Sequence, residues 1–281
     1  MRIRNLIFIG GLLLVAGCGQ GADKSARTVG ESAAPGGTAA APGAAEVLRG
    51  PAGPPPPRKV DCDRLKCVAL TFDDGPGPYT GRLLDTLKAG GVRATFFMVG
   101  QNVPYHRDVV RRMPLDGHEV ANHTWSHRDL TELSTAGVRS QIRRTQEVIE
   151  DASGVEPTLM RPPYGATNGR VGRAVGMPQI MWSVDTQDWR YRSVSRGARV
   201  GINQPERGDI VLYHDIHKSS VDCIPKVVDG LRKRGFTFVT VSELFRGDRL
   251  EPGEIYTEGT LEAELVTASP PPAGSTAGPP R

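Results

Sequence analysis

The chain has 281 residues, with 35 Lys or Arg against 31 Asp or Glu and a formal net charge of +4. That mild basic excess is spread without a long Lys/Arg run, which argues against nucleic acid as a partner and is compatible with an anionic cell-wall polymer. Both ends are dominated by small residues and proline, so one continuous core over the whole length is excluded.

Residues 1–18, MRIRNLIFIGGLLLVAGC, put Arg2 and Arg4 ahead of an apolar stretch (6–15) that is too short for a membrane span. Ala16 and Gly17 then precede Cys18. The pattern resembles a bacterial lipoprotein signal, in which cleavage before Cys18 leaves that thiol to carry lipid. An ordinary signal peptide cut nearby is the alternative, and both predict export. The lipoprotein reading places the mature chain on the outer face of the cell membrane, facing the wall. Residues 19–57 have no apolar periodicity and read as a disordered Pro/Ala/Gly tether. Residues 249–281 read as a disordered tail, which leaves 58–248 as one well-buried domain.

Cys62 and Cys67 open that domain, five residues apart. A disulfide between them would close a small loop and add about 2 kcal/mol at most. Cys223 reads as a small buried hydrophobe, with a bridge to Cys62 or Cys67 as the alternative. The spacing does not suit a zinc knuckle, because no second close pair of Cys or His accompanies it.

From there strand-like and helix-like runs alternate. Strands are expected at 68–74, 94–100, 118–124, 158–163, 178–185, 209–215 and 236–241. Helices are expected at 79–91, 105–116, 134–152, 167–175, 192–204 and 219–234. Leu83, Leu84 and Leu87 recur at helical spacing in the first, and Val138, Ile142, Val148 and Ile149 are the expected buried face of the third. Seven strands alternating with helices imply an α/β fold with a parallel sheet covered on both faces, either doubly wound or closed as a barrel. No GxGxxG follows the first strand, so a dinucleotide fold has no support.

The unusual polar residues follow the strands. Asp73-Asp74 end the first, His123 and His127 follow the third and Arg161 the fourth. Asp185 and Asp188 follow the fifth, and His214 ends the sixth. In parallel α/β folds these ends share one face, so the residues should converge. An Asp-Asp-Gly-Pro stretch alone reads first as a solvated turn. Convergence favours chemistry. His123 and His127, four apart, would lie on one side of a helical turn. With one aspartate they make a His2Asp set that leaves positions open for water and substrate. The other aspartate could then act as a base, Arg161 could keep it ionised, and His214 held by a carboxylate could serve as an acid.

Five stretches, TFDDGP, HTWSH, RPPYGA, DTQDW and LYHDIH, resemble in order the motifs of polysaccharide deacetylases with a NodB-homology domain, carbohydrate esterase family 4. The resemblance covers about residues 66–245. It implies a distorted (β/α) barrel of about seven parallel strands and metal-dependent deacetylation of a polysaccharide, with peptidoglycan amino sugars as the first expectation. Chitooligosaccharide or acetylxylan is the alternative, and a non-catalytic wall-binding lipoprotein the reading from another class. By motif position Asp73 would be the base, oriented by Arg161. Asp74, His123 and His127 would hold a divalent metal, zinc first, with cobalt, nickel or manganese as alternatives. Tyr164 would bind the oxyanion through its backbone N–H, and Asp188 would tune His214, the acid. Trp189 and Leu212 would line the acetyl pocket. His106 and His118 are expected to be structural, Trp125 and Trp182 packing residues, and His217 a surface or groove residue. The chain is expected to be a monomer.

Overall fold

The computed structural model describes residues 55, 58–245 and 250–259, all within the unit Arg49–Arg281. The signal segment with Cys18, the tether apart from Pro55, and residues 260–281 lie outside the described residues. Strand β1 (Lys66–Asp73) is buried almost throughout, as a strand covered on both faces must be. Its side chains alternate between two surroundings. Val68, Leu70 and Phe72 pack outward with Leu83, Leu84 and Leu87 of α1 (Thr80–Ala89) and Ile224, Val227 and Leu231 of α7 (Lys218–Lys233). Cys67 and Ala69 face the other way. There they meet Phe97 of β2 (Thr95–Met98), Ala121 of β3 (Glu119–Asn122), Ile210 of β6 (Ile210–His214) and Val239 of β7 (Phe236–Val239).

These strands are all parallel to their partners, in the order β3-β2-β1-β6-β5, with β5 at Val184–Asp185. β7 pairs the first half of β1 from Lys66 to Ala69, and β2 pairs its second half from Thr71 to Asp73. Beyond β3, Met160 bridges Asn122 to Gln179, which starts β4 (Gln179–Ile180). The chain of β4 runs on into β5 beside β6, giving the expected distorted (β/α) barrel.

Two expected strands are cut short, for identifiable reasons. The 158–163 stretch contributes only Met160, because Pro157, Pro162 and Pro163 have no N–H to offer a ladder. The 178–185 stretch splits into β4 and β5, because the Arg161 side chain takes the carbonyls of Ile180 and Met181. The expected helix at 105–116 is α2 (Arg107–Leu115), preceded by a 3-10 turn (Gly100–Tyr105). That at 192–204 is α6 (Val194–Asn203), preceded by a short, unexpected α5 (Asp188–Tyr191) from which Arg192, at φ 46°, and Ser193 separate it. The expected tail also begins too early. β8 (Ile255–Tyr256) pairs with β4, and Tyr256 packs edge-on against Phe245 at 5.5 Å.

The longest helix, α3 (Thr135–Ser153), starts where the Ser134 hydroxyl accepts the Gly137 amide and stops at Gly154, φ 75°. Val138, Ile142 and Ile149 are buried and Val148 half-buried. Two shorter helices complete the set, α4 (Gly169–Val175) and α8 (Val241–Leu244). Cys62 and Cys67 form a disulfide, and Cys223 is a buried free thiol. Among the described residues no helix is long and apolar enough to cross a membrane.

Packing of α6 on β6 depends on a missing side chain. The Tyr213 hydroxyl donates to the Gly197 carbonyl at 2.9 Å, and a Cβ on Gly201 would overlap that hydroxyl. Gly201→Ala is expected to lower stability by about 1–3 kcal/mol in urea denaturation. An unchanged midpoint would mean that α6 does not lie against Tyr213.

Candidate active site

The inward alternation of β1 continues upward as Thr71 and Asp73, so the barrel changes from apolar at its base to polar at its C-terminal end. An ordinary strand would then turn Asp74 outward. Its φ of 71° breaks the alternation, in a conformation that Asp tolerates better than most residues. Asn102 donates to the Asp74 carbonyl at 2.8 Å and holds the turn. Both carboxylates therefore meet the same imidazole: His123 Nε2 lies 3.7 Å from Asp73 Oδ2 and 3.5 Å from Asp74 Oδ1.

His123 and His127 are not on a helix, contrary to the expectation from their spacing. They flank a tight loop with Thr124 at φ 67° and His127 at φ 53°. Gln141 of α3 accepts the amides of Trp125 and Ser126 at 2.9 and 3.0 Å, and Thr124 Oγ1 accepts that of His127 at 3.1 Å. The loop brings His127 Nε2 to 3.2 Å from Asp74 Oδ1. His123 Nδ1 lies 2.7 Å from the Arg161 carbonyl. A carbonyl only accepts, so Nδ1 carries the proton and the Nε2 lone pair faces the carboxylates.

The donor atoms of Asp74, His123 and His127 lie within 4.8 Å of one another, and Asp74 Oδ1 is buried without a hydrogen-bond donor. A buried carboxylate oxygen between two imidazoles fits a divalent cation. Burial raises the Asp74 pKa, but the nearby imidazoles, His123 foremost with His214 and His127, outweigh it and hold the group well below the carboxylate range. Burial, then the neighbouring His123, pulls His127 below its ordinary value and favours the neutral ring a cation needs.

Asp73 is 2 % exposed, and Arg161 is fully buried beneath it. The guanidinium donates to Asp73 Oδ1 at 2.7 Å, to Thr71 Oγ1 at 2.9 Å, and to the carbonyls of Ile180 and Met181 at 2.9 and 2.7 Å. It lies over the Phe97 ring at 4.1 Å. Burial depresses the Arg161 pKa, and Asp73 opposes that shift by charge and hydrogen bond.

Of the two aspartates near the expected tuning position, Asp188 holds His214. Its Oδ1 lies 2.8 Å from His214 Nδ1, and its Oδ2 accepts the His214 amide at 2.8 Å. Asp185 caps the turn instead, accepting the Gln187 amide at 2.8 Å. Burial lowers the His214 pKa, but Asp188, helped by Asp73 and Asp74, raises it to about 9. Leu212 points inward below His214 and is 3 % exposed, whereas Trp189 is 47 % exposed at the rim. Tyr164, φ 61°, turns sharply after Pro162-Pro163 and meets His127 edge-on at 4.6 Å. His118 accepts the Ala94 amide deep in the fold, and Trp125 is covered by Arg144 at 4.0 Å. His217 lies 6.4 Å from His214, ring to ring.

Four supporting residues were not picked out from the sequence: Thr71, Asn102, Gln141 and Asp215. Asp215 is fully buried, accepts from the Thr80 hydroxyl and is pushed by burial to about 7. Thr80 Oγ1 in turn accepts the Gly77 amide at 2.8 Å, and a Cβ on Gly75 would overlap the Asp215 carboxylate. The glycine after Asp74 was the available signal, since only a residue without Cβ fits there.

The barrel mouth brings together a three-donor set, an Arg-held carboxylate and an Asp-held imidazole, and comparison with known proteins gives the class. A family model described as polysaccharide deacetylase matches residues 61–179. The peptidoglycan-N-acetylglucosamine deacetylase of Listeria monocytogenes serotype 1/2a is 43% identical over 196 residues, 69% of this chain and 42% of the relative. The match thus spans about two fifths of that curated relative. A solved structure described as T48 deacetylase with substrate is 44% identical, with a TM-score of 0.69, covering 70% of this chain and 99% of that one. A family 4 acetyl xylan esterase from Clostridium thermocellum, in complex with a cobalt ion, is 33% identical, with a TM-score of 0.67, covering 70% and 100%. The chain belongs to the polysaccharide deacetylase family.

Two outcomes follow from the buried pairs. Arg161→Met leaves Asp73 buried without its counter-charge and should cost about 3–5 kcal/mol in urea denaturation. Adding Asp73→Asn should recover part of that loss; strict additivity of the two changes would contradict the pairing. For His214, a folded pKa raised to about 9 stabilises the protein fully below the unfolded value, roughly 6.5, and that contribution fades as pH rises through 9. NMR titration should place the imidazole midpoint well above that unfolded value and show it fall in Asp188→Asn. An unmoved midpoint would remove Asp188 as its cause.

Proposed function

We propose that the chain is a metal-dependent hydrolase that removes acetyl groups from a cell-wall polysaccharide, N-acetylated amino sugars of peptidoglycan first. The observation that carries this reading is the meeting, within one barrel mouth, of a three-donor cation site, an Arg-held carboxylate and an Asp-held imidazole. The likeness to the Listeria peptidoglycan deacetylase supports the substrate class.

Asp74, His123 and His127 would hold the ion, with zinc the first choice among zinc, cobalt, nickel and manganese. A divalent metal there supplies Lewis acidity, polarising an acetyl carbonyl and lowering the pKa of water. Asp73, aimed by Arg161, takes the proton from the attacking water as base. The Tyr164 N–H stabilises the developing oxyanion, a type of contact worth about 3–4 kcal/mol. His214, protonated through its pairing with Asp188, gives its proton to the leaving sugar nitrogen, so the amine departs neutral. Leu212 and Trp189 enclose the acetyl methyl. Nucleophile activation and leaving-group protonation thus fall to two groups with different partners, an Arg-held carboxylate and an Asp-held imidazole.

The N-terminal segment supports a setting for this activity: export, lipid on Cys18, and a Pro/Ala/Gly tether giving a monomeric domain reach into the wall. A second reading, acetylxylan as substrate, draws on the likeness to the family 4 acetyl xylan esterase.

Acetate release from peptidoglycan, chitooligosaccharide and acetylxylan, measured side by side on residues 58–259, discriminates these readings. Release is expected from peptidoglycan, to be abolished by a chelator and restored by added zinc. Release from acetylxylan alone would transfer the assignment to the second reading, and release unaffected by the chelator would overturn the metal-dependent mechanism.

A further inference from the structure

One buried carboxylate beside the reaction centre serves neither the proposed base nor the proposed acid. Asp215 comes directly after His214, one residue past the end of β6, where His214 lies in register with Asp73 of β1. It is fully buried. Its Oδ2 accepts from the Thr80 hydroxyl at the start of α1, and its Oδ1 finds no donor among the described residues. An unanswered carboxylate oxygen in the interior is costly, and packing alone would be served better by an apolar side chain of similar size.

What Asp215 touches is the turn that carries Asp74. Thr80 Oγ1 donates to Asp215 and accepts the Gly77 amide at 2.8 Å, so this hydroxyl links the carboxylate to the turn. Gly75 lies against the carboxylate, so close that a Cβ there would overlap both of its oxygens. Two carbonyls of the turn are tied to the segment after β2: that of Gly75 accepts the Val99 amide at 2.9 Å, and that of Asp74 accepts from Asn102. No side chain caps α1 at Tyr79, so the contacts with Asp215 fix this loop on the β6 side. Asp74 itself sits at φ 71°, a conformation that persists only where its surroundings hold it.

We propose that Asp215 is a positioning residue for the cation site. Through the Thr80 hydroxyl and its packing on Gly75, it holds the turn that aims the Asp74 carboxylate at His123 and His127. The proposal rests on the reading of those three residues as metal ligands and deepens it. Because Asp215 follows His214 in the chain, the same contacts fix the spacing between the proposed acid and the ion. Without them Asp74 can relax toward ordinary strand geometry, which turns its carboxylate away from the imidazoles.

The test measures zinc affinity on the full chain, by competition with a chromophoric chelator. Asp215→Ala and Thr80→Val are each expected to weaken zinc binding by about 10- to 100-fold, the usual effect of removing a residue that supports a metal ligand. Thr80→Val keeps the shape of the side chain and serves if Asp215→Ala does not fold. Thr80→Ser keeps the hydroxyl and should stay within about twofold of the unaltered protein. With cobalt bound, the visible spectrum reports ligand geometry, so it should change in Asp215→Ala and Thr80→Val but not in Thr80→Ser. Gly201→Ala, destabilised at α6 without touching the turn, controls for a general loss of stability and should bind zinc normally. Unchanged zinc affinity in Asp215→Ala and Thr80→Val, or an equal loss in Gly201→Ala, overturns the proposal. The expected losses without acetate release from any of the three polysaccharides would leave the positioning role standing and count against the deacetylase reading. No zinc binding by the unaltered protein would overturn both.

Discussion

Everything at the barrel mouth depends on one buried cation. Arg161 is the largest side chain removed wholly from water among the described residues. A guanidinium in that position is stable only if its donors and its charge are answered. The answers come from separate parts of the chain: Thr71 and Asp73 of β1, and the carbonyls of Ile180 and Met181. Its own carbonyl, meanwhile, fixes the tautomer of His123. A single residue thus holds the proposed base in place, orients a proposed metal ligand, and interrupts the strand across the barrel.

The site holds two acid–base pairs with opposite outcomes. Beside Arg161, Asp73 faces a group that never gives up its proton, so the carboxylate is the member left to do proton chemistry. Beside Asp188, the titratable partner is an imidazole, and the pairing drives its pKa up to about 9. Burial works against both charged pairs; at His214 the 2.8 Å contact with Asp188 overcomes it, whereas at Arg161 the 2.7 Å bond to Asp73 only opposes it. The same low-polarity setting makes the unpartnered Asp74 oxygen a demand for a cation rather than a tolerable defect.

Much of this was legible in the sequence because strand ends in a parallel barrel meet on one face, and polar residues at those ends are conspicuous after apolar runs. Alternation and helical spacing located β1, α1 and the buried face of α3. Positive φ values were not legible. Asp74, Thr124, His127 and Tyr164 all adopt them, so a pair of histidines four apart came together through a loop rather than a helix turn. Side chains that replace backbone partners were hidden as well. Arg161 breaking β4 from β5, and Gln141 holding the histidine loop from α3, are contacts between distant segments that no local pattern announces. β8 was missed because two residues of strand in a Pro- and Gly-containing stretch carry no periodicity.

The most direct test of the central claim separates the two adjacent aspartates. Divalent zinc binding and acetate release should be measured together on Asp73→Asn and on Asp74→Asn. Asp73→Asn is expected to retain one equivalent of zinc and lose turnover by a factor on the order of 10²–10⁴, the usual contribution of a positioned general base. Asp74→Asn is expected to lose the metal itself. If instead Asp73→Asn releases the zinc, or Asp74→Asn keeps it, the roles assigned to the two carboxylates would be contradicted.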